Sequence, residues 1–206
     1  KEVVAEEEEI VKTPASFDRS VEPPFGPDPV LSVPEIWTSE LSNGIKVTGI
    51  EHHEVPLINY AIEIKGGHYM DTPEKAGVAN LVTDLMMEGT ENRTPEELEE
   101  AIDMLGANIN MYVGSESITV SVSTLKRNLD ATIDLVEEIL LEPRWDEEEF
   151  GLWKMKNINN IKRNSANPNY LAQQAFNNLL FGEGTLLALP SSGTVETVEA
   201  ITIDDL

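Results

Sequence analysis

The chain has 206 residues, 38 acidic against 14 basic side chains, a formal net charge of -24 and no cysteine. That length suits one or two compact domains, and 40% hydrophobic residues suit a globular body. The charge argues against a broad basic face for nucleic acid and favours basic segments as partners, while the missing cysteines exclude disulfides, thiolate metal sites and thiol nucleophiles.

Residues 1 to about 35 read as a linker or arm. Glu6 to Glu9 form an acidic run, and Pro14, Pro23, Pro24, Pro27, Pro29 and Pro34 are half of all prolines in the chain. Such a stretch cannot run as a helix and suits a central strand badly. The chain opens on Lys1 rather than Met, as a processed product or a piece of a longer protein would. No stretch has the length of a membrane-spanning helix and no signal peptide is recognised. The sequence carries no address that separates a periplasmic or extracellular location from a cytoplasmic one.

Residues 36–206 read as a single domain. Leu41-Ser42-Asn43-Gly44 is a turn leading into a strand from Ile45. Ile58, Tyr60, Ile62 and Ile64 alternate with polar or small residues, the period of a strand with one buried face, and Gly66-Gly67 ends it. A helix is expected over about Glu74 to Met87, with Val78, Leu81, Val82 and Leu85 apolar. A second starts at a box of Thr94, Pro95 and Glu97, and Gly106 stops it.

Ile109, Met111 and Val113, then Ile118, Val120 and Val122, predict an antiparallel hairpin around Gly114-Ser115. A helix over about Leu129 to Leu141 buries Ile133, Val136 and Leu140. Asp146 caps a longer one, with Glu149 at the third position and an apolar row of Leu152, Met155, Ile158 and Ile161. Asn167-Pro168 interrupts it before an amphipathic helix through Leu171, Ala175, Phe176, Leu179 and Leu180, and Ile201 to Leu206 reads as the lead into a further helix.

This order predicts an α+β fold: a mixed, largely antiparallel sheet with helices packed on one face. The strands near 45–50, 58–65, 107–113 and 117–124 are expected to share that sheet. Ile62, Leu81, Leu105, Val120, Val136 and Ile158 are expected near the core.

Asn80, Thr83, Asp84 and Met87 share one side of the first long helix, a spacing that suits either a ligand or an outward polar stripe. His52, His53 and His68 form no metal motif and are expected at the surface. No G-x-S-x-G elbow is present, Gly182-Glu183-Gly184 lacks the rest of a phosphate loop, and no carboxylate pair is singled out among 38 acids.

From about Trp37 onward, several segments resemble the pitrilysin-type zinc peptidases of family M16, which include mitochondrial processing peptidase and insulin-degrading enzyme. They are LSNGIKV, IEIKGGHYMDTPEKAGVANLVTDLMMEGT, TPEELEEAIDMLGANINMYVGSES, NLDATIDLVEEILLEPRWDEEEF and GTVETVEAITIDDL. Active members carry H-x-x-E-H, where two histidines hold zinc and the glutamate activates water. Here the resemblance places Asn80 and Asp84 at the histidines, Thr83 at the base, and Asn160 at a third, glutamate ligand. Two amides and one carboxylate make a poor zinc set, and Thr83 is no carboxylate base.

The resemblance thus implies a non-catalytic domain with no metal and no cofactor of its own, zinc belonging to an active partner. It also implies that Asn108, Ile109, Asn110, Met111, Tyr112 and Val113 form the strand on which family members lay an extended peptide, with Met111 narrowing the site. The alternative is that this strand only completes the sheet. The implied partner is a catalytically active M16 domain or subunit, the implied ligand an extended or basic peptide. Two other readings compete: part of an active zinc metalloendopeptidase whose site lies in another domain or chain, and a pure assembly scaffold.

Overall fold

A computed structural model describes residues 18, 20–22, 26, 28, 30 and 33–206, which divide after His52 into two compact units. The arm expected over residues 1 to about 35 falls largely outside the described residues. Among the described residues all strand pairings are antiparallel, and no helix is long and apolar enough to cross a membrane.

The first unit contains a hairpin of β1 (Ile36–Glu40) and β2 (Lys46–Ile50), registered Ile36 to Ile50 and Glu40 to Lys46. Its turn is the expected one: the Leu41 N–H donates to the Ile45 carbonyl at 2.8 Å and the Gly44 N–H to that of Leu41 at 2.9 Å. The strand near 45–50 was expected in the main sheet. The Asn43-Gly44 turn folds it back on its own neighbour instead, so β1 and β2 form a separate sheet.

The second unit is built on three strands, β3 (Leu57–Lys65), β4 (Asn108–Val113) and β5 (Ser117–Leu125), in the order β3-β5-β4. Val120 is paired with Ile62 on one side and Met111 on the other. The helices are α1 (Val78–Met86), α2 (Pro95–Leu105), α3 (Leu129–Leu141), α4 (Glu147–Asn164), α5 (Pro168–Phe181) and α6 (Val195–Ala200).

Two apolar clusters hold this unit together. Leu98 of α2, Ile109 of β4, Val120 and Val122 of β5, and Leu135, Val136 and Ile139 of α3 form the first. Leu81 and Leu85 of α1, Phe150 and Ile161 of α4, Val198 of α6 and Ile201 form the second. Burying one such Leu or Ile contributes about 1.5–3 kcal/mol, so these residues dominate the stability of the unit.

Several expectations need correction. Ile62 remains 36% exposed, because α2 and α3 pack on β4 and β5 and leave the far end of β3 uncovered. Ile133, Leu152 and Met155 are exposed as well; α3 instead turns Leu135 and Ile139 inward with Val136. The segment from Glu74 is a short turn of 3-10 helix over Pro73–Lys75 followed by Gly77 at φ +111, so α1 begins only at Val78. Ile201–Leu206 does hold a capped helical turn, Ile203–Asp205, but α6 before it had no counterpart among the expectations.

Candidate functional site

The first turn of α1 is anchored by Asp71. Its carboxylate accepts from the Gly77 N–H at 2.9 Å and the Ala79 N–H at 3.0 Å, satisfying helix-start donors that lack intrahelical partners. His68 Nδ1 stands 3.5 Å from the same carboxylate. His68 was expected at the surface, yet it is only 5% exposed, because its own backbone N–H is drawn onto the Gly114 carbonyl at the β4–β5 turn. Its Nε2 is buried with no hydrogen-bond partner among the described residues.

From this start α1 lies against β4 on one side and α4 on the other. Asn80, Thr83 and Asp84 therefore sit on a helix beside the peptide-strand candidate, and polar groups of Asn80, Thr83 and Asn160 are engaged elsewhere. The Asn80 side-chain amide donates to the backbone carbonyl of Ser191. Thr83 is buried, and its hydroxyl donates back into its own helix, to the Asn80 carbonyl at 3.0 Å. On α4, the Asn160 side-chain oxygen accepts from the Arg163 guanidinium at 2.8 Å.

Asp84 is half-buried. Burial pushes its carboxyl above the usual range; the positive charge of Lys156 opposes that rise, and Glu88 adds to it. Lys156 also lies over the Trp153 ring, 3.3 Å from its centroid. The counter-charge nearest in effect to Asp84 is thus an ammonium on α4, and Lys156 stands one turn before Asn160 on that helix.

These residues do not fit a zinc ion. Zinc favours histidine and carboxylate donors, and here the set is two neutral amides, a neutral hydroxyl and one carboxylate, with the Asn160 oxygen already accepting from an arginine. Among the described residues no group of three or more His, Asp or Glu side chains is placed to hold a metal. Sequence reasoning singled out neither Lys156 nor Asn157, whose amide donates to the Ser192 carbonyl at 3.2 Å. Pro190 reads as a loop marker in the sequence, but the bonds that the loop accepts, from Asn80 and Asn157, do not show there. The legible signal was Pro190-Ser191-Ser192-Gly193, a tight-turn composition placed before the Thr194 cap.

The peptide-strand candidate is an edge. β4 pairs only with β5, leaving its other side without a strand partner among the described residues. Ile109 is buried, Asn110, Met111 and Val113 are half-buried, and Asn108 and Tyr112 are exposed. The Asn110 amide donates to the Asn108 side-chain oxygen, so these two polar groups share one face of the strand.

The profile of Insulinase (Peptidase family M16) matches residues 47–187. The chain is 27% identical over 119 residues to a probable mitochondrial-processing peptidase subunit beta of Arabidopsis thaliana, covering 58% of this chain and 22% of that protein. It is 26% identical over 180 residues to cytochrome b-c1 complex subunit 1 of Bos taurus, covering 85% of this chain and 36% of that one. In fold it is similar to the crystal structure of a peptidase M16 inactive domain from Pseudomonas fluorescens, with a TM-score of 0.77 and 20% identity, covering 83% of this chain and 42% of that one. The chain therefore spans well under half the length of these relatives. With the profile spanning most of the compact region, the chain belongs to the M16 peptidase family and holds, among its described residues, no metal-binding cluster.

Proposed function

We propose that this chain is a non-catalytic M16 domain that supports a zinc metallopeptidase through assembly, chamber closure or binding of peptide substrate. One observation carries the reading: α1 is kept beside the β4 edge, while every side chain standing for a ligand or base has changed and the amides and hydroxyl among them are tied into the scaffold. Loss of the reaction centre with retention of the edge suits a role that needs backbone pairing but no activated water.

Zinc and hydrolysis belong, in this reading, to an H-x-x-E-H-bearing domain or subunit. The net charge of -24 favours basic, extended peptides as the ligands, acting mainly on the association rate. A second reading, that the chain is part of an active metalloendopeptidase whose site lies elsewhere on a longer polypeptide, draws on the small share of its relatives that the chain spans. Mixing the domain with an H-x-x-E-H-bearing partner and following turnover of a basic peptide tests the proposal. Turnover or assembly should fall when the domain is left out; no change in either would overturn it.

A further inference from the structure

On α1 one carboxylate stands apart from the bonds that fasten its neighbours. Asp84 is half-buried, and among the described residues its oxygens accept no hydrogen bond and meet no ion-pair partner. What acts on it is burial, the field of Lys156 and the like charge of Glu88. Lys156 is held elsewhere, its ammonium over the Trp153 ring. One turn before Asp84 and on the same side of the helix, Asn80 turns its amide N–H to the Ser191 carbonyl, which leaves its side-chain oxygen as a second acceptor.

Of the three strands in the sheet, α1 packs chiefly on β4, whose other side is unpaired among the described residues. An edge strand presents alternate N–H and C=O groups outward, and an extended segment that pairs with them is laid down at the end of the sheet where α1 stands. Its side chains alternate in direction, so register can bring a single basic residue to the α1 side.

We infer that Asp84, with the side-chain oxygen of Asn80, holds a cationic side chain of a peptide paired on β4, arginine in preference to lysine. This deepens the function proposed above and rests on its reading of β4 as a peptide edge; the groups it draws on are local. A cation beside Asp84 offsets the desolvation of a carboxylate that has no partner of its own. A guanidinium spreads its donors across one plane and can reach two acceptors one helical turn apart, for which a compact ammonium is less suited.

The test uses the whole chain and a short, labelled, extended peptide with one central arginine, set against the same peptide carrying citrulline, an uncharged near-isostere. In fluorescence anisotropy the arginine peptide should bind about 10-fold or more tightly than the citrulline one, with a lysine peptide between them. Asp84→Asn should abolish the difference while leaving the affinity for the citrulline peptide and the native circular dichroism unchanged. Glu88→Gln, which removes the neighbouring like charge, should keep the preference. N-methylation of alternate peptide amides should weaken both peptides, because it removes donors that pair with the edge. Equal binding of the two peptides to the wild type, a preference that survives Asp84→Asn, or an equal loss in Glu88→Gln would overturn this inference and leave the peptide edge standing. Binding of neither peptide, or binding indifferent to N-methylation, would overturn both.

Discussion

The side-chain amide of Asn80 reaches the backbone carbonyl of Ser191, 111 residues away in the chain. Asn80 is thereby a structural tie between α1 and the loop before α6. Purified protein should accordingly retain no stoichiometric zinc after dialysis, as measured by metal analysis. About one zinc per chain, lost on Asp84→Ala, would contradict this.

Rebuilding the reaction centre requires Asn80→His, Thr83→Glu, Asp84→His and Asn160→Glu together, since ligands and base act as one unit. Asn80→His alone breaks the tie to Ser191 and should cost about 1 kcal/mol of stability with no gain of metal or peptidase activity. Chemical denaturation and a chelator-controlled peptide assay on the single and quadruple variants check both halves. Metal-dependent cleavage from any single replacement would refute the expectation.

Asp205 gives a pH signature. Lys75 donates to one of its oxygens, and the Thr202 N–H and hydroxyl both donate to the other at 2.8 Å. These bonds lower its pKa from the ordinary 3.8 to about 2. A depressed folded value means that the fold favours the ionised form, so the contribution is complete above 3.8 and disappears as pH falls toward about 2. The difference in thermal midpoint between the wild type and Asp205→Asn should be present at neutral pH and close across that window. A difference that persists at pH 2 would contradict the assignment.

Tyr60, packed against the first apolar cluster, carries a buried hydroxyl with no hydrogen-bond partner among the described residues, and burial pushes its pKa up. Removing an unpaired polar group relieves its desolvation cost. Tyr60→Phe should leave stability unchanged or raise it by up to about 1 kcal/mol in urea unfolding. A loss of that size would mean that the hydroxyl is bonded after all.

Gly193 has φ +76, and a Cβ there would stand 2.1 Å from the Ala76 carbonyl oxygen. The clash falls on backbone, so no rotamer relieves it. Gly193→Ala should cost about 2 kcal/mol or more, far beyond a surface Gly→Ala change such as Gly26→Ala, where nothing lies within 4 Å.

Local signals in the sequence carried most of the elements. The Thr94 box forms as read, with the Glu97 N–H donating to the Thr94 hydroxyl at 3.3 Å and the Thr94 N–H to the Glu97 carboxylate at 2.9 Å. Asp146 caps α4 through the amides of Glu148 and Glu149. The β4–β5 hairpin matches its alternation. What escaped were features fixed by distant chain. α6 is short and rich in β-branched residues, with poor intrinsic helix propensity, and is held by Val198 in the second cluster. Neither the burial of His68 nor the exposure of Phe176 and Leu179 on α5 has a local cause. At the candidate site, the resemblance alone singled out Asn80 and Asn160, and the partners that engage them, Ser191 and Arg163, could be seen only in three dimensions.

The loop at Ser191 and Ser192 has a consequence for how the domain opens. It receives Asn80 from α1 and Asn157 from α4, while the Thr197 hydroxyl of α6 donates to the Ala76 carbonyl at 2.8 Å, just before α1. Three segments far apart in sequence are therefore fastened close together, and loosening any one of them breaks bonds to its neighbours. In native-state hydrogen exchange the amides of α1 and of α6 should form a single cooperative unit with one free energy of opening. A single side-chain amide at position 80 would then help to set the rhythm of the protein's own breathing.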